Sequence, residues 1–371
     1  MKKIYTALGT MSGTSMDGVD VSIIQSDGET KYDVKLDEYF EYPQDIFKNL
    51  TKLRDKISSS KDLKKFTREL KKIEKEITLF HVEAVKEIIK KTKVNIDLVG
   101  FHGQTIYHNA KEKISKQLGN GKLLSKLIKK TVVYNFREND LKNGGQGAPL
   151  TPIFHKLLVK QKKINLPVVV INLGGIANYT IIWNHKELKK IFLISRDTGP
   201  GNCLIDQWVR KKSNKLYDEG GKIALLGKID TEILAQVLVK DIGKKSYDIK
   251  DFDLSPFNKL SLEDGAATLA QYTADTIRGH LADYLEDAKW NKSIHILISG
   301  GGRKNNFLIN RLKKNIIRPI KLIDDLGING DFVESQAFAY LAIRSYLKLP
   351  ISFPDTTGAE RPCTGGSIVK S

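Results

Sequence analysis

Residues 9–20 read Gly-Thr-Met-Ser-Gly-Thr-Ser-Met-Asp-Gly-Val-Asp, a turn dense in glycines, hydroxyls and carboxylates directly after an apolar run. Glycine lets backbone N–H groups approach an anion closely, the hydroxyls can donate to it, and Asp17 or Asp20 can carry a metal ion or orient a hydroxyl. A Walker-type loop requires Gly-Lys-Ser/Thr opening a helix. Here there is no lysine, and Val19, Val21 and Ile23 alternate as a strand does, so the unit reads strand, phosphate turn, strand. An ordinary Gly-rich hairpin has the same composition, because turn chemistry alone selects Gly and Asp.

The pattern recurs. Pro167-Val-Val-Val-Ile171 reads as a buried strand, ends in Asn172-Leu-Gly-Gly-Ile-Ala-Asn178 and returns as a strand over residues 179–183. Asp197-Thr-Gly-Pro-Gly-Asn202 stands between a strand over 191–195 and a helix from Cys203. A carboxylate there can act as general base toward a hydroxyl or water beside freed backbone amides, or it can cap the helix. Ser299-Gly-Gly-Gly302 follows a strand over 294–298; it leaves room for a flat ligand against the backbone, or for close helix–strand packing. Gln104 and Thr105, in His102-Gly-Gln-Thr105, read as hydrogen-bonding groups for a polar substrate. Arg137 and Asp140 can pin a carboxylate and a hydroxyl, or form a salt bridge holding their turn. His102 and His108 lack helical metal spacing. Glu334 opens the final helix, where an acid also suits the macrodipole.

The elements that must position these groups form two lobes built on one scheme, their turns facing across a cleft. Strands are expected over 4–8, 19–25, 34–42, 96–101 and 131–135, and one or two long helices over 43–91. Further helices are expected from about Pro149 to 162, over 203–212, 262–288 and 331–347, and up to 316. The net charge of +18 raises nucleic-acid or membrane-surface binding, but basic residues over 61–93 interleave with apolar ones at helical spacing, which describes a solvated amphipathic face. No apolar run is long enough for a membrane span, and the opening Met-Lys-Lys leads into a strand, so a cytoplasmic protein without nucleic-acid or membrane partners is expected. The two cysteines are far apart and indicate neither zinc nor disulfides. No Gly-x-Ser-x-Gly elbow and no Gly-x-Gly-x-x-Gly after the first strand are present, against a serine hydrolase and a dinucleotide oxidoreductase.

Taken in order, these motifs, with Gly144-Gly-Gln-Gly-Ala-Pro-Leu150, Leu262-Glu-Asp264 and Thr357-Gly-Ala359, resemble those of the 1,6-anhydro-N-acetylmuramic acid kinases of bacterial cell-wall recycling. The resemblance covers nearly the whole chain and implies an α/β, two-lobed actin-like ATPase (ribonuclease H-like) fold with a central cleft. Residues 1–162 would form the N-terminal lobe and 163–371 the C-terminal lobe. It implies that Gly13, Thr14, Ser15, Met16, Asp17, Gly18, Val19 and Asp20 meet the phosphates of ATP. Asn172, Gly174 and Gly175, with Thr198, Gly199, Gly201 and Asn202, would take the other side of the triphosphate, and Gly300, Gly301 and Gly302 the nucleoside. Asp197 matches the family's catalytic base. His102, Gln104, Thr105, Arg137, Asp140 and Glu334 form the expected sugar-side set, Mg2+ is the expected ion with Asp17 its candidate ligand, and a homodimer is expected. The sequence departs locally at Lys244-Lys-Ser-Tyr-Asp-Ile249, where the family commonly has Pro-Lys-Ser-Thr-Gly, and at Ala110 and Asn120. Two other readings are a kinase of this fold acting on an amino sugar with a free hydroxyl, and a basic nucleotide-binding protein without catalysis.

Overall fold

The computed structural model describes residues 2–185, 187–238, 246–286 and 294–371. The chain folds as two compact units, residues 1–163 with 332–371, and residues 164–331.

The first unit is built on seven strands. β1 (Tyr5–Ser12), β2 (Gly18–Ser26) and β3 (Tyr32–Glu41) form an antiparallel meander. β4 (Leu98–Asn109) and β6 (Thr131–Tyr134) add in parallel beside β1; β5 (Ile114–Leu118) folds back on β4, and the terminal strand Ser367–Val369 closes the edge. The second unit repeats the order. β7 (Val168–Leu173), β8 (Ile176–His185) and β9 (Lys190–Pro200) form the meander, and β10 (His295–Ser299) and β11 (Ile320–Leu322) add in parallel on the β7 side. The order β3-β2-β1-β4-β6 of the first sheet recurs as β9-β8-β7-β10-β11 in the second, the ribonuclease H-like arrangement of the actin-like ATPase class, as expected.

Residues 43–91 form three helices, Gln44–Lys56, Ser60–Lys65 and Thr67–Lys91. The last buries Leu70, Ile73, Ile77, Val85 and Ile88 at spacings of three, four and eight, and its lysines stay outside, so this charge is a solvated face. Among the described residues no helix is long and apolar enough to cross a membrane.

Several expectations need correction. The final helix, Val333–Tyr346, and the tail, expected in the C-terminal lobe, belong to the first unit; the helix packs on β1, β2 and β4, and the terminal strand pairs with β6. Gly9 and Gly100 are the reason. A Cβ on Gly9 would stand 2.1 Å from Ser335 O, and one on Gly100 2.3 Å from Phe338 O, so the helix lies on the sheet closer than any side chain permits. The helix expected from Pro149 begins later, Pro152–Gln161 with Pro152 in its first turn, and Pro149 stays in the preceding turn. The Ala-rich helix runs over Leu262–Glu286, and the remaining expected positions, 287 and 288, lie outside the described residues, as do Lys244 and Lys245.

Candidate active site

In the second unit, residues directly opposite one another on adjacent strands line up Ser299 of β10, Asn172 of β7, Asn178 of β8 and Asp197 of β9. Side chains at paired positions share a face, so Asn172, Asn178 and Asp197 form one polar row at the ends of the strands. The turn between β7 and β8 is held from outside by backbone. Gly201 N–H donates to Gly175 O at 2.9 Å, Asn202 N–H to Gly174 O at 2.8 Å and Cys203 N–H to Gly175 O at 3.1 Å. Only glycine permits this approach, because a Cβ at residue 201 would stand 2.1 Å from Gly174 O. Gly300, with φ of +82°, brings the turn after β10 against the same row; a Cβ there would lie 2.4 Å from Asn172 Oδ1. Gly301 has no atom within 4 Å of such a position and is open.

Asp197 is not in a strand-to-helix turn, as expected, but inside β9, which continues through Gly199 to Pro200. It is not a helix cap either. Helix Cys203–Lys212 has Asn202 at its N-cap, without a side-chain cap bond, and Asn202 Nδ2 instead donates to Leu173 O at 3.3 Å. The Asp197 carboxylate is buried at 5% exposure, and its Oδ2 accepts the backbone N–H of Tyr247 at 3.0 Å, a bond that fixes its orientation. Thr198 is fully buried and donates to Ala177 O, so its side chain braces β8.

In the first unit the phosphate turn is held by side chains. Ser12 Oγ donates to Gly18 O at 2.9 Å or Gln104 Oε1 at 2.6 Å and shares a hydrogen bond with the Tyr42 hydroxyl at 3.0 Å, and Gln104 Nε2 donates to Gly13 O at 2.9 Å. Gln104 is thus a brace of this turn, buried at 0% exposure. Met16 and Val19 point into the core, so only their backbone is available to a ligand. What stays accessible is Gly13, Thr14, Ser15 and Asp17, with Ser15 Oγ donating to Asp17 Oδ1 at 2.7 Å; Asp20 is half-buried on β2.

A second polar group surrounds Arg137. His102 Nδ1 donates to Gly103 O at 2.7 Å, which leaves Nε2 to accept from Arg137 Nη2 at 3.0 Å and Nε at 3.3 Å. Burial, then the adjacent guanidinium, holds the His102 imidazole well below its ordinary pKa, so the ring is neutral. Arg137 Nη1 donates to Gly147 O at 3.0 Å, while Asp140 Oδ2 accepts from Gly147 N at 2.7 Å and Oδ1 from Thr357 Oγ1 at 2.6 Å. Arg137 and Asp140 therefore do hold their turn, through Gly147. Glu334 is half-buried; burial pushes its carboxyl above the ordinary range and the Arg137 charge pulls it back. Thr105 lies apart on the β4–β5 hairpin, accepting from Gln117 at 3.1 Å. Ser12, the brace of this turn, is not among the expected site residues; strand alternation through Thr10 and Ser12 is the signal that points to it.

The family model described as anhydro-N-acetylmuramic acid kinase matches residues 5–371. The chain belongs to this family. A relative of that name from Pelagibacter ubique is 53% identical over the full length of both chains, and one from Zymomonas mobilis is 38% identical over 98% of this chain and 99% of its own. Among solved structures, component A of the (R)-2-hydroxyglutaryl-CoA dehydratase of Acidaminococcus fermentans aligns over 92% of this chain and 99% of that one, at 12% identity and a TM-score of 0.44. Each unit supplies groups that a kinase uses: the first an open Gly-rich turn and an arginine–histidine pair with a nearby acid, the second a carboxylate held in place and an open Gly-rich turn. Among the described residues no three His, Cys, Asp or Glu side chains gather as a metal cluster. A magnesium ion carried on nucleotide phosphates needs only one or two carboxylates, and exposed Asp17 fits that demand.

Proposed function

We propose that this chain uses ATP to convert 1,6-anhydro-N-acetylmuramic acid and water into N-acetylmuramic acid 6-phosphate and ADP, in cell-wall recycling. The bridge between C1 and O6 leaves no free 6-hydroxyl, so water must first attack the anomeric carbon. Asp197 takes a proton from that water as the C1–O6 bond breaks, and the released O6 attacks the γ-phosphorus. The observation that carries this reading is the buried Asp197 carboxylate, oriented by Tyr247 N–H and standing in one polar row with Asn172 and Asn178.

Gly13, Thr14 and Ser15 of the first unit are the phosphate-binding groups of that unit, the amides around Gly174 and Gly175 those of the second, and the open Gly301 position serves the nucleoside. Asp17 would hold magnesium, whose charge offsets that of the triphosphate. Arg137, kept in place by neutral His102 and Gly147 and countered by Glu334, recognises the carboxylate of the sugar. Asp140 shapes this group through Gly147. The family resemblance extends the reading to a homodimer, which light scattering on the purified chain tests.

An ADP-release assay comparing the anhydro sugar with N-acetylmuramic acid is the direct measurement, run in 18O-labelled water. Turnover of the anhydro sugar alone, with label on C1, is expected; phosphorylation of free sugar without label would replace the reading by an ordinary sugar kinase. Asp197→Asn should abolish turnover and leave nucleotide affinity unchanged, and full activity in that variant would sink the assignment of the base.

A further inference from the structure

Asn178 stands directly opposite Asp197 on one side and Asn172 on the other. Cross-strand partners have Cβ atoms about 5 Å apart, so the Asn178 carboxamide and the Asp197 carboxylate lie side by side. Asn178 Oδ1 is cut off from solvent and, among the described residues, has no hydrogen-bond partner. A buried acceptor without a donor is costly and uncommon in a folded protein. With the amide in this orientation Asp197 does not relieve it, since both groups accept. Two neighbouring acceptors select a ligand with two hydrogens to give. A phosphate oxygen has none, whereas a water has two.

Resting on the reading of Asp197 as the base, we propose that Asn178 Oδ1 is the second acceptor for the attacking water. One O–H of that water points to the Asp197 carboxylate and the other to Asn178 Oδ1, which turns a lone pair toward the anomeric carbon. As the water oxygen bonds to C1, its first proton passes to Asp197 and the C1–O6 bonding pair leaves with O6. The second O–H, the one held by Asn178, becomes the hydroxyl on C1. O6 then bonds to the γ-phosphorus and ADP departs. Asparagine suits the place because it offers a neutral acceptor, where a second carboxylate would set two like charges together.

The alternative role for this side chain is donation from Nδ2 to a phosphate, and the amide's orientation alone does not separate the two. Substitution does. Once wild-type turnover of the anhydro sugar is established, Asn178→Leu should lower kcat about 10- to 100-fold, the scale of one lost hydrogen bond to a reacting group, with KM for ATP and calorimetric affinity for ADP unchanged. Asn178→Asp keeps an acceptor and should recover part of that loss, again with KM for ATP unchanged. A phosphate donor predicts the reverse: KM for ATP rises, and Asp, facing the triphosphate with a negative charge, is worse than Leu. That result, or a wild-type kcat in Asn178→Leu, overturns the proposal while leaving the kinase reading intact. If Asn178→Leu does not fold, the KM for ATP of Asn178→Asp decides alone. A wild type that does not turn over the anhydro sugar removes both.

Discussion

The two units share a strand order but hold their first turns by different physics. In the first, the turn between β1 and β2 hangs on buried side chains: Ser12, Tyr42 and Gln104 tie Gly13 and Gly18 from within. In the second, the turn between β7 and β8 is tied by three backbone bonds from residues 201–203, made possible because residue 201 has no side chain. One topology thus tolerates two solutions, a side-chain network that can be trimmed one group at a time, and a backbone contact that leaves no room for a single added carbon. The first unit also buries three histidines, His81, His102 and His155.

Acid should divide the units most strongly. Burial holds His81 and His155 at about 4 and His102 well below 6.5. Because the folded pKa is depressed, the neutral ring's stability is complete above the unfolded value near 6.5. It falls as pH drops below that value toward the folded one, by about 1.4 kcal/mol per histidine per pH unit. Asp37 and Glu334, with raised carboxyl values, act in the opposite sense, two groups against three. All three tryptophans fall within residues 164–331, so their fluorescence reports the second unit. Between pH 7.5 and 5, far-UV ellipticity should fall before tryptophan fluorescence changes; coincident transitions would break the comparison.

Gly201→Ala comes next. Its Cβ meets Gly174 O at 2.1 Å, and the obstacle is backbone, so the two turns must separate. A loss of about 3 kcal/mol in urea unfolding followed by tryptophan fluorescence is expected. A loss under 1 kcal/mol would show that the second turn has slack. Ser12→Ala should cost less, about 2 kcal/mol, by removing the buried hub between Gly18 O, Tyr42 and Gln104. Its cost should appear in far-UV ellipticity, together with a raised KM for ATP.

How much of this was legible in the sequence follows from which interactions are local. Both strand–turn–strand units could be read because apolar alternation and Gly-rich turns lie within a dozen residues of each other. The strand carrying Asp197 was cut short because Gly-Pro-Gly normally ends a strand, whereas here the pairing with Ile176 and Ala177 carries β9 to Pro200. The final helix's allegiance was illegible, since it depends on Gly9 and Gly100 meeting residues more than two hundred positions away. For the same reason Asp140 read as a ligand: its partner Thr357 lies 217 residues on. Among the hydroxyls of residues 10–15, both Thr10 and Ser12 are buried, and composition could not say that Ser12 is the one that ties the turn.

The smallest stability effects should come from the open glycines, and they sharpen the comparison most. A Cβ on Gly13 would meet only Ser15 Oγ at 3.7 Å, and one on Gly301 nothing within 4 Å; neither has a backbone angle that strains alanine. Gly13→Ala and Gly301→Ala should therefore each change unfolding free energy by less than about 0.5 kcal/mol. If these approaches are kept clear for nucleotide, the added methyl stands in its path, and KM for ATP should rise on the order of 10-fold without loss of fold. Gly201→Ala has the opposite profile, with stability lost first and binding only as a consequence. An unchanged KM in both open-site variants would mean that the clearance at Gly13 and Gly301 serves no ligand. The contrast between the turns would then concern folding alone.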